Sequence, residues 1–260
     1  NIYYKDEDKR FELKSFKALG GAFAVYKIAS EKKNITVSTA TAGNHGRSVA
    51  WGAQRLGLKC KIFISEFVSE SRAEAMRNLD AEVIRVKGNY DNSLKECIEQ
   101  SNKNNWEIVQ DVSWEGYKEV PKLIMAGYTI MVKEIIDEIN KNSITHVFLQ
   151  AGVGGMAAAM IAGFAKLSEN IPQFIIIEPE NADCVFQSIK NNKPTTVDIK
   201  KETVMGGMSC GDVSSIAWEI LKNSANYCLT IPDEAISTAV ALLAEKRLSN
   251  EKIIGGECAV

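Results

Sequence analysis

The 260-residue chain reads as an α/β protein with two parallel-sheet domains, the smaller inserted in the larger. Three observations predict this. Short apolar runs alternate with longer amphipathic stretches along most of the sequence. Two of those runs end in glycine turns that lead straight into helix-like segments. A long helical stretch over 120–141 separates one strand–helix series from the next. Near-continuous apolar strands interleaved with helices belong to parallel sheets covered on both faces.

The elements follow in order. A helix is expected over 18–31, then a strand at "ITVSTA" (35–40), rich in β-branched residues. The amphipathic "HGRSVAWGAQRLG" (45–57) is helical, and "CKIFIS" (60–65) is the next strand. "ESRAEAMRNLD" (70–80) and "YDNSLKECIEQSNK" (90–103) are helices on either side of the strand "EVIRVK" (82–87), and "WEIVQD" (106–111) closes the first series. After the long helix come a strand "HVFLQAG" (146–152), a helix over 154–169 and a strand "QFIIIEP" (173–179). These elements place residues 35–141 in the small domain. Residues 1–34 and 142–260 form a discontinuous large domain.

Composition narrows the function classes. The chain is 45% hydrophobic and 25% charged, with a net charge of −2, an ordinary globular balance that offers nothing to nucleic acid or an anionic membrane. No apolar run approaches the roughly 18–20 residues of a membrane span. Six cysteines are scattered without a CxxC pair, the usage of a reducing, cytoplasmic protein rather than a disulfide framework or zinc site. With two histidines and no acidic cluster at ligand spacing, a metal site is not expected.

Three features carry chemistry. The strand at 35–40 runs into Thr41-Ala42-Gly43-Asn44-His45-Gly46, and the strand at 146–150 into Ala151-Gly152-Val153-Gly154-Gly155. A glycine turn between a strand end and a helix start presents backbone N–H groups to an anion. Taken alone, each turn fits tight packing or a capped turn as well as a binding site. The second lacks a Walker lysine and departs from G-x-G-x-x-G, so neither a nucleoside triphosphate nor a dinucleotide follows. The third feature is "ELKSFKALGG", in which Lys17 stands beside Phe16 and just ahead of Gly20-Gly21, with Lys14 nearby. Desolvation there would lower an amine's pKa, as an imine-forming lysine requires. Lysine, phosphate cup and an asparagine-bearing loop together suggest pyridoxal 5'-phosphate.

"SFKALGG", "TAGNHGRSVAW" and "QAGVGGMAAA" resemble the three signatures of the fold-type II pyridoxal-phosphate enzymes, the threonine dehydratase and tryptophan synthase β group. "EIVQDVSWEGY", "IEPENADCVFQS", "GGMSCGD" and "AWEILKN" are more closely similar to the diaminopropionate ammonia-lyase family, and the likeness runs along nearly all of 10–258. The resemblance implies that Lys17 holds the cofactor as an imine and then serves as general base. It implies that Asn44 hydrogen-bonds the cofactor's phenolic oxygen and that Gly152, Val153, Gly154, Gly155 and Met156 supply amides to its phosphate. Thr41, Gly43, His45, Glu115 and Tyr117 are implied on the substrate side, with Glu115 and Tyr117 lining a place for a second ammonium; a solvated turn is the other reading of Glu115. The implied reaction is α,β-elimination of 2,3-diaminopropionate to pyruvate and ammonia, in a homodimer. Cys184 and Cys210 fall in segments similar to family positions near the site entrance and are expected as thiols in a reducing compartment.

The pattern also breaks. The family's loop usually has aspartate where this chain has Ala42; that carboxylate is implied to serve the D-substrate, so the L-isomer is expected here. The stretch between Ala29 and Asn34 is short for the family. The chain starts without Met and stops at "IIGGECAV", before segments that complete the large domain in the family, so either stretches are omitted or the chain is truncated. A serine/threonine dehydratase or β-replacement enzyme of the same fold is the alternative activity. A non-catalytic ligand-binding protein is disfavoured by the retained Lys17, and a nucleotide-dependent oxidoreductase by the lack of an acidic residue placed for a ribose.

Overall fold

The computed structural model describes residues 2–41, 43–139 and 144–259. Its contacts divide the chain into two units, one of residues 9–111 and 115–128 and another of residues 1–8, 112–114 and 129–260.

The first unit contains α1 (Lys17–Glu31), β1 (Thr36–Ala40), α2 (Asn44–Arg55), β2 (Lys59–Ser65), α3 (Glu70–Arg77), β3 (Glu82–Val86), α4 (Tyr90–Asn104) and β4 (Glu107–Ile108), together with the first half of α5 (Glu119–Glu138). Its four strands pair in parallel in the order β3-β2-β1-β4. Val37, Ile62 and Ile64 are fully buried in the two central strands, as expected where helices cover both faces. Local signals fix the helix ends. Asn89 and Asn92 form a reciprocal capping box at the start of α4, and Asn105 in the left-handed conformation closes it.

The glycines of α1 serve helix packing. A Cβ on Gly20 would lie 2.4 Å from the Tyr128 ring and 2.7 Å from the Ile124 carbonyl oxygen, and one on Gly52 of α2 would lie 2.8 Å from the Ala22 Cα. Because its small-residue faces mate with α2 and the first half of α5, α1 belongs to the unit of β1–β4. This corrects the sequence assignment of 9–34 to the domain of the later strands.

The second unit contains the rest of α5, β5 (His146–Gln150), α6 (Gly155–Leu167), β6 (Gln173–Pro179), α7 (Cys184–Lys190), α8 (Ser215–Ser224), β7 (Tyr227–Ile231) and α9 (Asp233–Ala244). Its strands pair in parallel in the order β5-β6-β7. Phe164 and Phe174 pack with ring centroids 5.9 Å apart, and Ile176 and Leu221 are fully buried beside this core. The register aligns Phe148 of β5 with Ile175 of β6 and Ile175 with Tyr227 of β7. Among the described residues, Phe148, Tyr227 and Leu229 on that face are exposed, whereas Ile175 between Phe148 and Tyr227 is buried. The expected domain boundary at 141/142, and the end of the helix expected to reach 141, lie outside the described residues.

Candidate functional site

In the first unit, β1 ends at Ala40 and α2 begins at Asn44, with Thr41 and Gly43 described between them. Thr41 is buried, and its hydroxyl accepts hydrogen bonds from the amides of Gly43 at 3.0 Å and Gly46 at 3.3 Å. Those donors would otherwise be among the unpaired amides of a helix N-terminus. A Cβ on Gly46 would sit 2.3 Å from the Thr41 methyl carbon and 2.8 Å from the Met76 sulfur. Gly46 is therefore a packing glycine. Asn44, the first residue of α2, is exposed and available to a ligand. Ala42 lies outside the described residues.

Lys17 opens α1, and its Nζ donates to Asp111 Oδ2 at 2.6 Å. The side chains are 27% and 16% exposed, so the pair is neither sealed nor open to solvent. The expected apolar pocket for Lys17 is thus replaced by a carboxylate partner. Burial works against the Asp111 charge, yet the Lys17 ammonium hydrogen-bonded to it holds its carboxyl well below the usual range. His45 is buried, and its Nε2 lies 2.8 Å from the Val109 carbonyl oxygen. A carbonyl only accepts, so Nε2 carries the proton and Nδ1 of the neutral ring is a lone pair. That Nδ1 lies 3.7 Å from Asp111 Oδ2. Burial lowers the His45 pKa, with Asp111 opposing and Lys17 reinforcing the shift.

Gln110 anchors the neighbouring strand end. Its fully buried side chain accepts from the Ala40 amide at 3.0 Å and donates to the Ala40 carbonyl at 2.9 Å, in effect extending the sheet with a side chain. Its Oε1 also accepts from the Thr39 hydroxyl at 2.8 Å, and its Nε2 donates to the Tyr90 hydroxyl at 2.7 Å. The Tyr117 hydroxyl accepts from the Gln110 amide and donates to the Ile108 carbonyl. Tyr117 therefore braces the backbone that presents Asp111. Glu115 is exposed, next to Gly116 with φ +81. The carboxylate that faces a cationic nitrogen is Asp111. Its sequence signal was an acidic residue ending the apolar run "EIVQD".

The second unit carries the other glycine turn. Gly154, with φ +86, caps α6, and the first turn of that helix leaves the amides of Gly155 and Met156 without intrahelical acceptors. A Cβ on Gly154 would meet Leu221 at 2.7 Å. One on Gly152 would lie 3.0 Å from the Cys210 sulfur and 3.1 Å from the Met208 Cα. The Ser214 amide holds the Val153 carbonyl at 2.9 Å, which keeps the loop's carbonyl turned into the protein. Outward amides at a helix N-terminus, with glycines where side chains would crowd the cradle, fit a phosphate. Beneath the loop, fully buried Glu178 on β6 accepts from the Val185 and Phe186 amides at 2.9 and 2.7 Å, capping α7. Burial pushes its pKa up to about 7. The Cys184 thiol bridges this carboxylate to the Gly152 carbonyl, at 3.8 and 3.5 Å. All six cysteines are thiols. Among the described residues, no group of His, Cys, Asp and Glu could hold a metal ion, and no helix is long and apolar enough to cross a membrane.

A family model for pyridoxal-phosphate dependent enzymes matches residues 1–258. Diaminopropionate ammonia-lyase of Escherichia coli K12 is 35% identical over 277 residues, covering 98% of this chain and 70% of the relative. The crystal structure of the Escherichia coli enzyme in complex with an aminoacrylate-PLP azomethine reaction intermediate superposes with a TM-score of 0.89 and 35% identity, over 97% of this chain and 68% of that one. Threonine deaminase isoform 2 from Solanum lycopersicum, 23% identical, gives a TM-score of 0.87 over all of this chain and 68% of its own, a likeness of fold.

Proposed function

The chain belongs to the pyridoxal-phosphate dependent enzyme family, and on that premise we propose that it eliminates ammonia from 2,3-diaminopropionate to give pyruvate and ammonia. The observation that carries this reading is the likeness to diaminopropionate ammonia-lyase along almost the whole chain.

When bound, pyridoxal phosphate supplies an electron sink conjugated to the substrate's α-carbon. Lys17 would hold its aldehyde carbon, and the Lys17 amine would serve as the base for the α-proton. Asp111 holds that amine in place through the 2.6 Å hydrogen bond. Asn44 would hydrogen-bond the ring's phenolic oxygen. The amides of Gly152, Val153, Gly154, Gly155 and Met156 would receive the phosphate, aided by the positive end of α6. Thr41 acts at one remove, ordering the loop whose Gly43 and Asn44 face the substrate.

The L-isomer is the favoured substrate. An alanine at position 42 has no group that could take a proton, where the family's aspartate is implied to serve the D-isomer. Pyruvate formation should therefore run faster from L- than from D-2,3-diaminopropionate, and Ala42→Asp should raise D-isomer turnover. An Ala42→Asp enzyme that is active on the L-isomer but gains nothing on the D-isomer would count against this.

We place the enzyme in the cytoplasm as a homodimer; the scattered thiols support the compartment and the family resemblance the assembly. Light scattering on the purified protein measures the latter. The decisive experiment on the activity is an absorbance spectrum with and without L-2,3-diaminopropionate, alongside a pyruvate assay. A band near the visible edge, altered by borohydride and lost in Lys17→Ala, is expected. A change with serine or threonine but none with the diamine would move the reading to a dehydratase.

A further inference from the structure

Among the described residues, three buried side-chain polar atoms have no hydrogen-bond partner, His45 Nδ1, Arg47 Nε and Tyr128 Oη. A buried polar atom left unpaired is unfavourable, and native structures keep few of them outside ligand sites. Two of these three adjoin the Lys17–Asp111 pair. His45 Nδ1 is 3.7 Å from Asp111 Oδ2. The Tyr128 hydroxyl, fully enclosed and packed edge-on against Phe16, feels both Lys17 and Asp111.

The tautomer sharpens the point. With Nε2–H spent on the Val109 carbonyl, Nδ1 can only accept. The carboxylate opposite it also only accepts. Two acceptors facing each other across 3.7 Å repel unless a donor comes between or beside them. Lys17 Nζ already shows that a primary amine nitrogen fits against this carboxylate.

We propose that His45 Nδ1 and Asp111 Oδ2 together form the receptacle for the substrate's second ammonium, and that this pair makes the site prefer a diamino acid to a hydroxy amino acid. The proposal rests on the elimination reading above and names the specificity element of that site. An ammonium carries three N–H donors and satisfies both acceptors at once. A serine hydroxyl carries one donor, so one of the two acceptors stays unpaired. Rejection of a ligand that leaves buried polar groups unmatched is the stronger form of discrimination. His45 thus acts on the substrate directly, and its bond to Val109 fixes which nitrogen does so.

Two substitutions separate the nitrogens. The Gln amide nitrogen reaches the place of Nε2, so His45→Gln keeps the donor to Val109 and removes the Nδ1 acceptor. His45→Asn keeps an oxygen acceptor near the place of Nδ1 and loses the Val109 bond. For the holoenzyme, His45→Gln should lower kcat/KM for L-2,3-diaminopropionate about 10- to 100-fold, with a far smaller change for L-serine. His45→Asn should be less stable yet keep the preference for the diamine. The second readout does not depend on turnover. The chain has two histidines, His45 and His146, so 15N-histidine labelling gives a spectrum with an exposed internal reference. The His45 Nδ1 resonance should shift on adding ammonium chloride and not tetramethylammonium chloride, which has the charge without the donors. An equal fall for both substrates in His45→Gln, or an Nδ1 resonance indifferent to ammonium, overturns the proposal. Wild-type protein that makes no pyruvate from the diamine overturns the elimination reading instead, and the ammonium titration still judges the receptacle.

Discussion

Gln110 has no bulk that leucine lacks, yet its amide group is paired with both polar atoms of Ala40, with Thr39 and with Tyr90. Replacing it by leucine keeps the volume and strands the Ala40 amide and carbonyl in a dry interior, each an unmet polar group. Gln110→Leu should lose about 2–4 kcal/mol in a denaturant titration; a loss within experimental error would mean that water or another side chain takes over. Glu178 makes the opposite kind of statement. Its pKa rises from the ordinary 4.5 to about 7 because burial outweighs two amide donors. The folded chain then keeps a proton that the unfolded chain gives up. The contribution of Glu178 to stability is whole below about pH 4.5 and shrinks as pH climbs to about 7, by up to about 3 kcal/mol. Relative to Glu178→Gln, which does not titrate, the native protein should lose ground across that interval and run parallel above it. Parallel curves throughout would show that the helix amides keep the carboxylate ionised. Neither residue advertised itself beforehand. Each is a polar letter near the end of a strand-like run, "EIVQD" and "QFIIIEP", and a period-based reading assigns such letters to a strand without asking what they bond.

Elements were more legible than their contacts. The alternation of apolar strands with amphipathic helices predicts parallel sheets, and both sheets are parallel. The turns after β1 and β5 lie where the glycines put them, since a strand-to-helix reversal is a local matter of backbone freedom. What fell short depends on distant partners. The strand expected over 106–111 is only Glu107–Ile108, because Gln110 bonds through its side chain and Asp111 turns to Lys17. Strand β7 was missed, since "YCLTI" is short and mixes polar with apolar letters. The glycine pair after Lys17, read as a site mouth, serves helix contacts invisible along the chain. At Gly154 conformation and crowding coincide. With φ +86 and a Cβ falling 2.7 Å from Leu221, Gly154→Ala should cost about 1–3 kcal/mol in stability. It should also weaken pyridoxal-phosphate binding, because the amides that receive the phosphate are displaced. Gly256→Ala, at a position open to solvent, is the control. Equal cofactor titrations for both variants would remove the loop from the phosphate's account.

At the scale of the whole molecule, a ligand that binds the folded chain and not the unfolded one adds to stability by mass action. The increment is about 2.7 kcal/mol when its free concentration is a hundred times its Kd. In a protein of this size that corresponds to a rise in melting temperature of about 5–10 °C. Pyridoxal phosphate should produce a rise of this order, saturating as its absorbance band does. Lys17→Ala removes the covalent anchor while leaving the glycine loop, so it should keep only the part due to the phosphate. Gly154→Ala should keep the anchor and lose that part. The two variants therefore report on residues that sequence order places 137 positions apart (154 minus 17) through one observable. Inorganic phosphate supplies the third arm. It should compete with the cofactor for the amides and so stabilise Lys17→Ala by itself, while giving Gly154→Ala nothing. A Lys17→Ala chain that retained the full pyridoxal-phosphate rise would show that the lysine contributes no bond, and the elimination reading would lose its base as well as its anchor.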